Sequence, residues 1–387
     1  MSPYELNDVS RYSVPRWAVV PSLSGTCSGG WADLGFGRCR TGPLPPRDHP
    51  VTPQLAPPLA QRAAALIAAL GLGQAKDVIA VQPLTGGVAS DIARVDLPGR
   101  SYCVKFALSK LRVAADWYAP IHRSRAEYAW LSVADAVAPG SVPRLFGYAD
   151  DLQGFAMEYI APATARLWKA DLLAGQADPA LAARLGLVLG RIHAHAATPG
   201  FDAARFRNGA DFHALRVEPY LLFTARAHPG VAARLTALAA GLDRAAVTLV
   251  HGDVSPKNIL IRAAGPVLLD AECASMGDPA FDLAFCLNHL ALKSIHLPPA
   301  RADMLVTAAS LWHGYAPAIV WEPASAVEAR VAALVPALML ARVDGKSPVE
   351  YLTPAAQAEV RAIALHLLAR PVATIADLLA ALDQGAG

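Results

Sequence analysis

The stretch His251-Gly252-Asp253-Val254-Ser255-Pro256-Lys257-Asn258, followed by Leu268-Leu269-Asp270-Ala271-Glu272, decides how this chain is read. One carboxylate stands five residues before a carboxamide, and a second carboxylate closes an apolar run. Between them, Ile259-Leu260-Ile261, the turn Ala263-Ala264-Gly265 and Val267-Leu268-Leu269 predict a two-stranded hairpin. Such a hairpin holds Asn258 and Asp270 on rigid backbone, where both offer hard oxygen ligands to Mg²⁺. Asp253 is placed to accept the proton of an attacking hydroxyl. Together these groups suit transfer of a phosphoryl group from a Mg-nucleotide to an alcohol. In that reaction a protein chiefly positions the reactants and neutralises charge.

The spacing His-x-Asp-x-x-x-x-Asn, with a strand-borne Asp beyond it, resembles the catalytic loop and metal-binding Asp of the protein-kinase-like fold. Gly252 and the sequel Gly277-Asp278-Pro279-Ala280-Phe281-Asp282-Leu283-Ala284 make the chain similar to the aminoglycoside phosphotransferase and choline kinase branch. A lone His-x-Asp is more simply a turn capped by its own side chains. Six elements in the same order do not fit that reading. The resemblance spans roughly 78–292 and fades toward the C-terminus. It implies an α+β, two-lobed protein-kinase-like fold, with a small β-rich N-lobe and a larger, mainly helical C-lobe. It also implies ATP and Mg²⁺ as cofactors.

Bulk properties agree. A chain of 387 residues accommodates two lobes with sizeable cores. A net charge of +2 with 17% charged residues argues against nucleic acid or a membrane surface as partner. The most apolar stretch, 331–341, is interrupted by Pro336 and reads as a buried helix. The five cysteines have no metal-ligand spacing and suit reduced thiols in a cytoplasmic protein.

Residues 1–55, rich in Gly, Pro, Ser and Arg, lack periodicity and are expected to be a disordered extension. Residues 56–160 form the expected N-lobe, ending in the hinge. A helix is predicted over 61–70, strands over 79–84, 92–97 and 102–107, a helix over 123–137 and a strand over 154–159. Residues 161–387 form the expected C-lobe. Asp178-Pro179 and Asp278-Pro279 each combine an N-cap with a first-turn proline. Further helices are predicted over 300–311, 327–343 and 354–368.

Several residues acquire candidate roles. Gly86 and Gly87, in a turn between two strands, permit close approach of backbone N–H groups to phosphate. Lys105 stands in an apolar strand and needs an anionic partner. The resemblance pairs it with Glu127 and places it on the α/β phosphates. It also makes 155–160 the hinge, with Met157 behind the adenine, the Glu158 carbonyl accepting from the base and the Ile160 N–H donating to it. Glu272 is a candidate further ligand in the metal's shell. Asp282 is expected to buttress the catalytic loop through backbone N–H groups, and His251 to be scaffold. His193 and His195 read as helix-capping groups. Where many relatives carry His and protein kinases carry Lys, this chain has Ser255. Lys257 either reaches the γ-phosphate or faces solvent. Candidates for the acceptor site are Arg216, Tyr220 and Arg342.

The expected function is ATP-dependent phosphorylation of a hydroxyl on a small molecule: a sugar, polyol or amino alcohol. Ala115-Asp116-Trp117 and the Arg342 segment are similar to methylthioribose kinases. One alternative is an inactive nucleotide-binding regulatory module, yet Asp253, Asn258 and Asp270 are all present. An aminoglycoside-type antibiotic phosphotransferase is another, but no dense acidic cluster awaits a polycation. A protein kinase is disfavoured by Asp270-Ala271-Glu272 in place of Asp-Phe-Gly.

Overall fold

The computed structural model describes residues 58–84, 90–108 and 122–385. Gly86 and Gly87, Trp117 and Tyr118, and the extension 1–55 lie outside the described residues. Helices of ten residues or more are numbered below.

A five-stranded antiparallel sheet comprises β1 (Ala80–Pro83), β2 (Ser90–Leu97), β3 (Arg100–Ala107), β4 (Leu145–Ala149) and β5 (Gly154–Glu158), in the order β1-β2-β3-β5-β4. Lys105 faces Ile92 across β2 and Phe155 across β5, so it sits at the sheet centre. Helix α1 (Leu59–Ala69) lays Ala63, Leu66 and Ile67 against Val95, Val104 and Phe106. This i, i+3, i+4 stripe is the apolar face of an amphipathic helix. Helix α2 (Arg123–Val137) buries Ala126, Trp130 and Ala134. Of these, Trp130 and Ala134, with Ala129, belong to the larger core, and the helix also buries Arg123 and Glu127, four residues apart and therefore neighbours on one face.

The chain beyond 160 is mainly helical. The short strand β6 (Arg166–Leu167) joins the predicted hairpin, now β8 (Ile259–Arg262) and β9 (Gly265–Leu268). Two strands too short to read from sequence, β7 (Thr248–Val250) and β10 (Ser275–Gly277), pair antiparallel. The catalytic loop leaves β7 and enters β8, so both of its ends are pinned by sheet hydrogen bonds.

Helix α3 (Pro179–Ala196) starts where Asp178 accepts a hydrogen bond from the Leu181 N–H at 2.9 Å. It is followed by α4 (Ala232–Arg244), α5 (Pro279–His296), α6 (Arg301–Tyr315), α7 (Ala324–Asp344), α8 (Pro354–Ala369) and α9 (Ile375–Gln384). Helix α5 is buried from Pro279 to Ile295 and forms the centre of this part. Helix α7 continues through Pro336, as the predicted buried helix over 327–343 requires. By length and composition α7 could cross a membrane, but 61% of its most apolar window is buried within the fold. Ten π-helical residues, His213–Leu222, contain Pro219. Proline removes a donor from the backbone ladder and crowds the preceding turn.

Helices α3 and α6 approach closely because each presents a glycine. A Cβ on Gly314 would stand 2.0 Å from the Ala183 carbonyl oxygen, and one on Gly186 would stand 2.2 Å from that of Leu311. Gly314→Ala should therefore cost about 1–3 kcal/mol or more through overpacking. Urea unfolding should show a lowered midpoint, and an unchanged midpoint would mean that the helices separate freely.

Candidate active site

Asp282, in the first turn of α5, organises the loop. Its two carboxylate oxygens accept the His251 N–H at 2.7 Å and the Gly252 N–H at 2.8 Å. His193 lies between Asp282 (3.3 Å) and the Tyr315 hydroxyl (2.8 Å), wholly buried. It is thus a loop support and not the helix cap expected from its position; the fold brings α3, α5 and α6 together around it. Asp282→Ala should orphan two buried N–H groups, at about 1–3 kcal/mol each. Denaturant unfolding would measure the loss, and wild-type stability in this variant would contradict the assignment.

His251 has a defined tautomer. Its Nδ1 accepts the Asp253 N–H at 3.1 Å, so its Nε2 carries the proton donated to the Leu269 carbonyl at 3.1 Å. Burial lowers its pKa despite the nearby carboxylates. The neutral ring packs edge-on to Trp130 at 4.7 Å and ties the loop to the Asp270 segment. Gly252 has φ +79°, and a Cβ there would stand 2.7 Å from the Cys273 Cβ. Only glycine meets both demands.

Asp253 is 4% exposed, and its two oxygens differ. Oδ2 receives Arg216 Nη2 at 3.0 Å and Lys257 Nζ at 3.2 Å. Oδ1 is buried without a hydrogen-bond partner. Burial alone would raise this carboxyl's pKa, but Lys257 and Arg216 hold it well below the usual carboxylate range. Asp253 is therefore an ionised acceptor, suited to orienting a hydroxyl rather than to strong base catalysis. Arg216, named above only for the acceptor site, also donates to the Gly252 carbonyl and helps to position the loop. No local sequence signal shows this, since Arg216 lies 36 residues from Gly252.

Asn258 donates from Nδ2 to the Asp253 carbonyl at 3.1 Å, an arrangement that orients its Oδ1 as an acceptor. The Leu269 N–H donates to the Asn258 carbonyl at 2.9 Å and carries the hairpin register up to Asp270. Asp270 adopts φ +68°, a left-handed backbone that aspartate tolerates better than most side chains. One of its oxygens pairs with Lys105, and its side chain remains 31% exposed. Lys105 Nζ also lies 2.8 Å from Glu127 Oε1. Burial opposes charge on this ammonium, but Asp270 and Glu127 overcome it and raise its pKa.

Glu272 is paired with Arg123 at 3.1 Å. Arg123 also donates to the Leu108 carbonyl at 2.6 Å. The spacing Arg123-x-x-x-Glu127 was the available signal for it, because both side chains share one helical face. Ser255 is buried with its hydroxyl unpartnered. Met157 lies 9% exposed in β5. The Glu158 side chain pairs with Arg262, and Ile160 is half-buried just beyond the strand. Tyr220 lies 3.4 Å from Arg342. The structure thus joins Lys105, Glu127 and Asp270 in one set of contacts and Asn258, Asp253, Lys257 and Arg216 in another. The Leu269–Asn258 backbone hydrogen bond and the charges of Lys257 and Asp253 acting on Asp270 link the two, and Glu272 and Arg123 adjoin electrostatically. Cys103, Cys273 and Cys286 are buried free thiols.

Among the described residues, no three His, Cys, Asp or Glu side chains cluster as a metal site. Asn258 and Asp270 nonetheless fit Mg²⁺, which takes one or two protein oxygens and completes its shell with phosphate and water. The partly exposed Asp270 carboxylate and the oriented Asn258 amide are such oxygens.

The model of the phosphotransferase enzyme family (APH) matches residues 80–318. No curated protein matches the chain. Among solved structures, the amicoumacin kinase hAmiN in complex with AMP-PNP, Ca²⁺ and Ami is 14% identical, with a TM-score of 0.51 over 77% of this chain and 91% of that one. A choline/ethanolamine kinase family protein from Mesorhizobium loti is 18% identical, with a TM-score of 0.49 over 84% and 99%. The choline kinase LicA from Streptococcus pneumoniae is 15% identical, with a TM-score of 0.47 over 80% and 98%. At such identities the likeness to the amicoumacin kinase speaks for the fold alone, which is the protein-kinase-like fold.

Proposed function

Since the chain belongs to the phosphotransferase enzyme family, we propose that it is a small-molecule kinase that moves the terminal phosphoryl group of ATP to a hydroxyl of its acceptor. Residues 56–160 serve as the nucleotide lobe and 161–387 as the catalytic and acceptor lobe. The observation that carries this reading is the unpartnered Asp253 Oδ1, beside an Oδ2 already occupied by two cations. Oδ1 has the Ser255 hydroxyl nearby but no donor fixed in hydrogen-bond geometry, and an alcohol O–H would supply one.

In the reaction, the acceptor oxygen bonds to the γ-phosphorus as the bond to the leaving ADP oxygen breaks. Asp253 Oδ1 holds the hydroxyl in line and takes its proton as the new ester forms. The loose transition state needs little base strength, which matches a carboxylate held strongly ionised. Lys105, charged through Glu127 and Asp270, lies where it can swing from Asp270 to nucleotide phosphates. In this reading Gly86 and Gly87 are assigned to the phosphates, and Met157, Glu158 and Ile160 to the base. Asn258 and Asp270 would hold Mg²⁺, which when bound neutralises phosphate charge.

ADP release should be screened against sugars, amino alcohols, nucleosides and aminoglycosides, with Asp270→Ala as blank. Release that depends on both the acceptor and Mg²⁺ is expected. Mg-dependent ATP binding with no acceptor-stimulated release would instead favour a regulatory nucleotide-binding module.

A further inference from the structure

Beside the catalytic loop lies a small open pocket of about 30 Å³, lined among others by Lys169, Lys257, Lys293, Arg342, Glu350 and Tyr351. Four cationic side chains thus face a single carboxylate. That carboxylate, Glu350, is already bound to Lys169 at 2.5 Å, and Lys257 is committed to Asp253. Lys293 and Arg342 remain, and among the described residues neither has a carboxylate within ion-pair distance.

Lys293 is 1% exposed on the central helix α5. Its Nζ lies over the face of the Tyr351 ring, 4.9 Å from the centroid. Burial, reinforced by Lys169, pushes its pKa down to about 7. Arg342 places Nη1 2.8 Å from Ser347 Oγ, but its Nε is buried without a partner. The Tyr351 hydroxyl is buried and unpartnered as well. A guanidinium N–H and a phenol without partners, beside an ammonium that has no carboxylate to pair with, make a costly arrangement unless a ligand completes it.

We infer that the acceptor carries an oxyanionic group, a carboxylate or a phosphate monoester, and that Lys293, Arg342 and Tyr351 hold it while Asp253 orients the hydroxyl to be phosphorylated. This deepens the kinase reading and rests on it. The occupant is assigned to the acceptor because Lys105, Asn258 and Asp270 do not line the pocket, whereas Lys257 does and touches Asp253 at 3.2 Å. Lys257 is thus the link between the pocket and Asp253, which does not itself line it. Its sign is wrong for a polycationic aminoglycoside.

Two measurements on the full chain decide the matter. In calorimetry with saturating AMP-PNP and Mg²⁺, inorganic phosphate and malonate should bind the wild type, with at least a tenfold loss of affinity in Lys293→Met and in Arg342→Gln. Lys293→Met should also melt above wild type, because an apolar chain of similar length replaces an unpaired buried charge; this shows that the loss is not misfolding. In ADP-release assays, glycerate against glycerol, and glucose phosphate or glucuronate against glucose, should favour the anionic member at least tenfold in kcat/KM. The preference should collapse in Lys293→Met. Absence of oxyanion binding, binding unchanged in both variants, competition with AMP-PNP, or a preference for neutral or cationic acceptors would each overturn the inference. If no acceptor is turned over but oxyanions bind wild type and not the variants, the kinase reading fails and the oxyanion site stands.

Discussion

Asp253→Asn should lower kcat by about 10²–10⁴-fold while leaving Mg-nucleotide affinity intact. The substitution keeps the side chain's shape and its place in the loop. With the amide oxygen held by Arg216 and Lys257, an NH2 donor replaces the acceptor that fixes the hydroxyl, and the charge that those cations neutralise is lost. Because the change deletes one negative charge near the phosphates, nucleotide binding has no electrostatic reason to weaken. Stopped-flow or steady-state kinetics with a verified acceptor, beside equilibrium nucleotide binding, would separate these effects. Near-normal turnover would remove Asp253 from the chemistry altogether.

Asp270→Asn is the second large effect. Asparagine tolerates the left-handed backbone at this position, so the change isolates the charge from backbone strain. A divalent ion stabilises phosphoryl-transfer charge by several kcal/mol, which corresponds to a rate loss of about 10²–10⁴-fold when its ligand fails. Nucleotide affinity should also cease to rise with added Mg²⁺. Lys105 would keep Glu127 as its ion-pair partner, with Glu272 nearby, since Asp270 shares it in the wild type. An Asp270→Asn protein whose ATP affinity still responds to Mg²⁺ as wild type does would mean that the metal is held elsewhere.

Local patterns carried much of the fold. The apolar spacing in 123–137 predicted α2 to the residue, and both Asp-Pro pairs mark helix starts where the Asp side chain accepts a backbone N–H. The hairpin under the metal ligands followed from two β-rich runs about a glycine turn. Elements of two or three residues, such as β7 and β10, were invisible because they are too short for periodicity. The π-helical segment was also invisible: Pro219 reads as a breaker, and only packing around Arg216 and Tyr220 keeps the helix going.

The motif from 251 to 272 was enough to name the chemistry, because phosphoryl transfer needs a carboxylate, a carboxamide and a second carboxylate in fixed order along adjacent backbone. Spacing along the chain encodes that requirement directly. The cations were another matter. Arg123, Arg216, Lys293 and Arg342 come from four separate helical segments, and their partners or vacant donors depend on how those segments pack. A charged side chain gains its role from the charge and burial around it, and those are properties of three-dimensional neighbours. Phosphoryl transfer was therefore legible in linear order, whereas the cluster of cations behind the inferred anionic acceptor exists only because distant helices are brought to one pocket.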